Sequence, residues 1–214
     1  MNEFIFLSLE NIDDILIFSQ VCKKWNEIYK KWKNEWYTLH TQIVEDVSEF
    51  RNKRETKIIG NRKYVTVWYK GGNKLYEEEY KDGEKEGKWF VWYWSGKKSY
   101  EKEYKNGKEE GKYIAWWENG NKLYEGEYKN GKKEGKWTGW YAGGAIQYEE
   151  EYKDGEEEGK WFGWYPDGNK MYEKEYKDGK LDGKWIEWYK NGNKKHEEKY
   201  KDGKEKGKWF EWLI

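Results

Sequence analysis

Residues Leu123–Trp140 read LYEGEYKNGKKEGKWTGW, and this stretch decides the fold because it returns every 24 residues. Its second tyrosine belongs to the series Tyr80, Tyr104, Tyr128, Tyr152, Tyr176 and Tyr200, spaced without a slip. Gly83, Gly87 and Trp92 recur in all six units, and Trp89 recurs in five, with Tyr113 in the second. A fixed period of this length is the signature of a repeat architecture, in which each unit buries its apolar groups against its neighbours.

Two turn signals punctuate each unit. The first is Asn130-Gly131 and its equivalents from Asp82-Gly83 to Asp202-Gly203, and the second runs from Gly71-Gly72 through Ser95-Gly96 to Asn191-Gly192. Asn-Gly and Asp-Gly suit two-residue type I′ hairpin loops, where both residues need positive φ. Between the turns lie 11 and 9 residues alternately. The array therefore reads as an elongated, mostly β antiparallel meander of about thirteen strands, which at roughly 4.8 Å per strand is about 60 Å long. With two-residue loops at both turns, Tyr76 falls opposite Trp89, Glu77 opposite Lys88, Glu78 opposite Gly87, and Val91 opposite Tyr100.

Strand alternation then sorts the side chains. One face carries Tyr76, Tyr80, Trp89 and Tyr93, continued by Tyr104, Tyr128, Trp137, Tyr152, Trp161, Tyr176 and Trp185. The other carries Glu77, Glu79 and Lys88 at one end and Phe90 and Trp92 at the other. Position 91 runs Val, Ala, Gly, Gly, Glu, Glu through the units, which predicts that the aromatic face opens toward solvent late in the array. Aliphatic residues are scarce here, so the rings are either the core or in part a binding surface; both readings stand at this point. A half unit, Lys63–Tyr69, begins the array over residues 63–214, and residues 48–62 read as a polar connector without turn pairs.

The segment Leu123–Trp140 and its copies resemble the MORN repeat, whose motif is approximately YxGxxxNGxxxGxG. Two departures, the loss of the early glycine everywhere but Gly126 and the Lys88-Trp89 ending, bring the chain closer to the variant MORN class. The resemblance implies an elongated β-meander used for contact with protein or lipid.

Residues 1–47 follow another rule. They contain no Gly or Pro, and Ile12, Ile15, Leu16, Trp25, Ile28 and Trp32 fall at helical spacing. Asp14-Ile15, Val21-Cys22-Lys23-Lys24-Trp25 and Trp36-Tyr37-Thr38-Leu39 resemble an F-box lacking its opening Leu-Pro. That resemblance implies docking of Ile15, Val21, Cys22 and Trp25 on a Skp-type adaptor of a ubiquitin ligase, with an unknown substrate held by the repeats. The plain alternative makes these residues the core of a small helical cap. The pairing of head and repeats is similar to that of large-DNA-virus F-box/MORN proteins.

Composition narrows the chemistry. Lys plus Arg and Asp plus Glu both count 42, so no basic excess favours nucleic acid or an anionic membrane. A single cysteine, Cys22, permits no intrachain disulfide. The start has no basic n-region, and no apolar run approaches a membrane span of roughly 18 residues, so an intracellular compartment is expected. The two histidines, His40 and His196, lie in different segments, and His196 stands where the other units place Tyr. No nucleophile, metal set or phosphate loop emerges. The reading is a non-enzymatic, protein-binding repeat protein without cofactor or metal; the alternatives are a stand-alone scaffold, a membrane-associated module or an antitoxin-like protein.

Overall fold

The computed structural model describes residues 53–207 and the backbone of residues 210–211. The helical segment expected over residues 1–47, with Ile15, Val21, Cys22 and Trp25, lies outside the described residues.

Every described element belongs to one antiparallel sheet. Its strands are β1 Arg54–Ile59, β2 Arg62–Trp68, β3 Lys74–Lys81, β4 Glu84–Trp92, β5 Lys98–Lys105, β6 Lys108–Glu109, β7 Gly111–Trp116 and β8 Lys122–Lys129. There follow β9 Lys132–Trp140, β10 Ile146–Lys153, β11 Glu156–Trp164, β12 Lys170–Lys177, β13 Lys180–Trp188, β14 Lys194–Lys201, β15 Lys204–Glu205 and β16 Phe210–Glu211. They pair in chain order, so the meander expected from the turn signals is the fold. The stretch read as a connector is itself sheet from Arg54 onward: β1 pairs with β2 around Gly60-Asn61, a turn pair overlooked in the sequence.

The first turn row is the type I′ hairpin that Asp-Gly and Asn-Gly demand. Asp82 and Gly83 have φ of 51° and 84°, and the same left-handed pair recurs down to Asp202 and Gly203. The second row is different. The Gly96 N–H donates to the Tyr93 carbonyl at 2.9 Å and the Tyr93 N–H to the Lys97 carbonyl at 2.8 Å, which closes a longer loop. Only its glycine has positive φ, so Ser, Asn, Asp or Gly before it serve equally well.

Register departs from the two-residue expectation at two places per unit. Beside the turn, Tyr80 pairs with Lys85 and Glu79 with Glu86, but beyond it Glu77 meets Phe90 and Tyr76 meets Val91. Thus Glu78 alone faces Gly87, Lys88 and Trp89. Gly87, at φ 63°, makes this bulge. The slip is two residues, so the pairings Tyr76–Trp89 and Glu77–Lys88 are lost while Tyr76, Tyr80 and Trp89 keep their predicted face. Across the second turn Val91 pairs with Tyr100 as expected, but Trp92 pairs with Lys98, a one-residue bulge that turns the lysine to the charged face.

Burial is lopsided. Val65, Val67, Trp89, Tyr104, Ala115 and Trp137 are buried on the aromatic face, and among the described residues only one buried apolar side chain, Ile186, points the other way. Among the described residues the sheet has no second layer against it, and the rings shield one another.

Candidate binding faces of the sheet

The rings of the aromatic face stack in three runs. Trp89 lies 5.3 Å from Tyr80 and 4.8 Å from Tyr104, centroid to centroid. Further along, Trp137 sits 5.1 Å from Tyr128 and 6.4 Å from Tyr152, and Trp161 sits 5.1 Å from Tyr152 and 4.8 Å from Tyr176. Trp185 and Tyr200 end the row at 5.8 Å. Such pairs each contribute about 0.5–1.5 kcal/mol beyond area burial. Trp89 and Trp161 donate their indole N–H to the carbonyls of Glu79 and Glu151, both at 3.0 Å. Trp137 instead lies flat on Gly126, where a Cβ would overlap its ring, and is 2% exposed with its Nε1 unpartnered. The one surviving early glycine thus creates the best-packed ring.

Trp89 and Trp137 are buried whereas Trp161 and Trp185 are half covered, so the face loosens late in the array, but glycine at position 91 leaves no gap. Tyr148 covers Gly139 and Tyr172 covers Gly163, in both cases where a side chain would collide with the ring, and both glycines are buried. Where Glu187 occupies this position the covering residue is His196, with its ring nitrogens 3.7 Å from the carboxylates of Glu187 and Glu198. The histidine is thus part of a paired change with Glu187.

Tyr93, assigned to the aromatic face from its parity, lies at the turn edge and clamps one unit to the next. Its hydroxyl donates to the Trp116 carbonyl at 2.7 Å. Tyr69, Tyr141 and Tyr165 do the same to the carbonyls of Trp92, Trp164 and Trp188, and the Trp117 indole N–H to that of Trp140. The remaining predicted residues, Tyr76, Tyr80, Trp89, Tyr104, Tyr128, Trp137, Tyr152, Trp161, Tyr176 and Trp185, share the aromatic face.

Charges are set among the rings. Burial raises the Tyr148 and Tyr172 phenols to about 12. Burial, followed by a hydrogen bond to Glu78, takes Tyr80 to about 12 as well. Tyr113 and Tyr152 are likewise pushed up by burial, then by hydrogen bonds to Tyr124 and Glu150. Burial lowers the Lys133 ammonium, which lies 4.5 Å over Trp137 and 4.3 Å over Tyr152. For Lys102 burial works in the same direction, but the 2.7 Å bond to Glu109 outweighs it and raises the group. These groups are neutral phenols and paired or ring-stacked cations at neutral pH, with none poised as an acid or base.

The opposite, charged face repeats a triad that sequence reasoning missed. Lys98 bonds Glu101 at 2.8 Å and stands 5.8 Å over Trp116. Lys74 joins Glu77 to Trp92, Lys122 joins Glu125 to Trp140, and Lys170 joins Glu173 to Trp188. Lysine at position 74 recurs in five units, which was a readable signal. A second unforeseen column, Glu86, Glu110, Glu134, Glu158 and Asp182, accepts the first N–H of the next unit's type I′ turn, as Glu134 does from Asp154 at 2.8 Å.

Among the described residues no group of three or more His, Cys, Asp or Glu side chains is placed to hold a metal ion. No described helix is long and apolar enough to cross a membrane. The arrangement offers two extended surfaces.

No curated protein matches the chain. A solved structure, titled "Crystal Structure of TarM", is similar over 57% of this chain at 12% identity and a TM-score of 0.21. This chain spans only 24% of that one. A family model described as MORN repeat variant matches residues 109–130, 133–154, 157–178 and 181–202. Four consecutive units of the array are therefore similar to MORN repeats of the variant type.

Proposed function

We propose that this protein is a non-catalytic scaffold whose repeat array binds a protein partner through the charged face of its sheet. The observation that carries this is the asymmetry of the single layer. The buried rings, Trp89, Tyr104 and Trp137, all lie on the aromatic face, whereas Trp92, Trp116, Trp140, Trp164 and Trp188 and the ion pairs of the charged face are only half covered. Half-covered Trp beside charged groups is the composition of protein-binding surfaces. Alternating Lys and Glu columns with zero net charge favour a protein over nucleic acid or anionic lipid. The test is lysine cross-linking of the tagged full chain in a eukaryotic lysate, mapped by mass spectrometry. Partner cross-links at Lys74, Lys98, Lys122 and Lys170 support the reading; links confined to residues before 53 contradict it.

A finer reading makes the scaffold a substrate-recruiting adaptor of a ubiquitin ligase. It is favoured by the sequence Val21-Cys22-Lys23-Lys24-Trp25 with Asp14-Ile15 ahead of it. Co-purification with a Skp-type subunit, lost in Trp25→Ala, supports it. No recovery from the wild type contradicts it and leaves the scaffold reading standing.

A further inference from the structure

The Lys–Glu–Trp triad of the charged face is broken at one unit. In the intact triads the lysine stands over the tryptophan 18 residues later, at 5.5 Å for Lys74 and Trp92, 5.8 Å for Lys98 and Trp116, 5.4 Å for Lys122 and Trp140, and 5.5 Å for Lys170 and Trp188. The equivalent residue before Trp164 is Ile146. Among the described residues no ammonium stands over Trp164, and Ile146 is 40% exposed, one of two large apolar side chains so exposed.

Three further features coincide there. The turn before Ile146 reads Ala142-Gly143-Gly144-Ala145, without the charged or amide side chains found in the corresponding turn of the other units. Glu149, deprived of its neighbouring lysine, reaches across the strand to Lys136 at 2.7 Å. A shallow groove of about 510 Å³ opens beside it, lined by Lys136, Glu149, Glu151, Lys160 and Phe162. Phe162 in turn lies 5.9 Å from Trp164.

We propose that the Ile146–Trp164 break is the partner-docking point of the array, and that its occupant is a protein segment presenting a Lys or Arg side chain next to an apolar one. This rests on the scaffold reading and deepens it. The chemistry is copied from the molecule itself. In four units a cation caps the tryptophan face, held by a glutamate, and at Trp164 that cation has to come from outside. Ring faces attract ammonium and guanidinium groups through the quadrupole. Glu149, the counterpart of Glu101 and Glu173, supplies the carboxylate, much as Glu197 serves both Lys184 and Lys194, and Ile146 supplies the apolar contact.

The variant Ile146→Lys restores the residue of the other five units and fills the break from within. It keeps the fold, and its melting temperature, equal to or above wild type, checks this. The probe is the synthetic peptide acetyl-LRLRLR-amide, titrated into the full chain with the Trp164 indole and Ile146 methyl followed by NMR. Saturable shifts are expected at both signals in the wild type. Affinity is expected to fall about tenfold in Ile146→Lys, by the size of one lost cation–ring contact. Acetyl-GRGRGR-amide should bind correspondingly weakly and acetyl-LELELE-amide not at all. Equal binding by Ile146→Lys, equal binding of the acidic peptide, or the absence of saturable shifts at Trp164 each overturns the proposal. The cross-linking pattern, which reads capture by the whole array, is unaffected by any of those outcomes.

Discussion

Trp137 and Trp140 sit three residues apart on β9 and point to opposite faces of one sheet, yet they live under different physics. Trp137 is enclosed by Tyr128 and Tyr152 on its own face and by the bare backbone of Gly126 beneath it. Trp140 is only half covered, its ring met by the Lys122 ammonium at 5.4 Å. Ring-to-ring burial is worth kilocalories, whereas a solvent-facing ion pair is worth about 0–1 kcal/mol. In a single-layer sheet one face therefore has to hold the molecule together, which leaves the other free to vary. The Lys-to-Ile change at Ile146 is such a variation, and it lies on the face that can tolerate it.

The largest expected effect strikes the aromatic face alone. Phenols held at about 12 in the fold and near 10 when unfolded bind protons more tightly in the folded state. Stability is accordingly full below pH 10 and declines as pH rises toward 12. With this many tyrosines involved, the array should unfold cooperatively in that window, with phenolate absorbance and loss of sheet circular dichroism rising together. Independent titration of the phenols near pH 10 without unfolding would break the comparison.

Gly126→Lys gives unit three the residue that units two and five carry at this position. It drives Trp137 off the backbone and should cost about 1–3 kcal/mol in urea unfolding, the usual range for overpacking. Tyr93→Phe removes one unit-to-unit clamp, the bond to the Trp116 carbonyl, and is expected to lose about 0.5–1.5 kcal/mol. Lys122→Ala, on the charged face, should shift the midpoint by less than about 1 kcal/mol, and by less still at high salt. A Lys122→Ala loss larger than that of Gly126→Lys would mean the faces have been assigned the wrong roles.

Most of the architecture could be read from the chain because the repeat multiplies each local signal sixfold. Asp82-Gly83 and its copies demand positive φ at both residues, and the type I′ turns are there. Parity put Tyr76, Tyr80 and Trp89 on one face, and a two-residue slip cannot change parity. What escaped was local backbone geometry inside the strand. Gly87 recurs in every unit in mid-strand, which is the mark of a bulge, but no turn pair accompanies it to say so. Tyr93 was misplaced for a related reason: the second turn is longer than two residues, so alternation does not extend to its edge. The closure of the aromatic face over Gly139 and Gly163 was hidden because a missing side chain looks like a gap in sequence, whereas in space Tyr148 and Tyr172 fill it. The charged-face triads were missed because their lysines precede a bulge, which brings residues three apart onto one face.

Equilibrium guanidinium unfolding of Trp137→Ala and Trp140→Ala, measured side by side, tests the division of labour most directly. Trp137→Ala should lose about 3–5 kcal/mol, as for a buried ring, and Trp140→Ala less than half as much. Equal losses, or a larger loss at Trp140, would contradict the claim that the aromatic face carries the stability of this sheet.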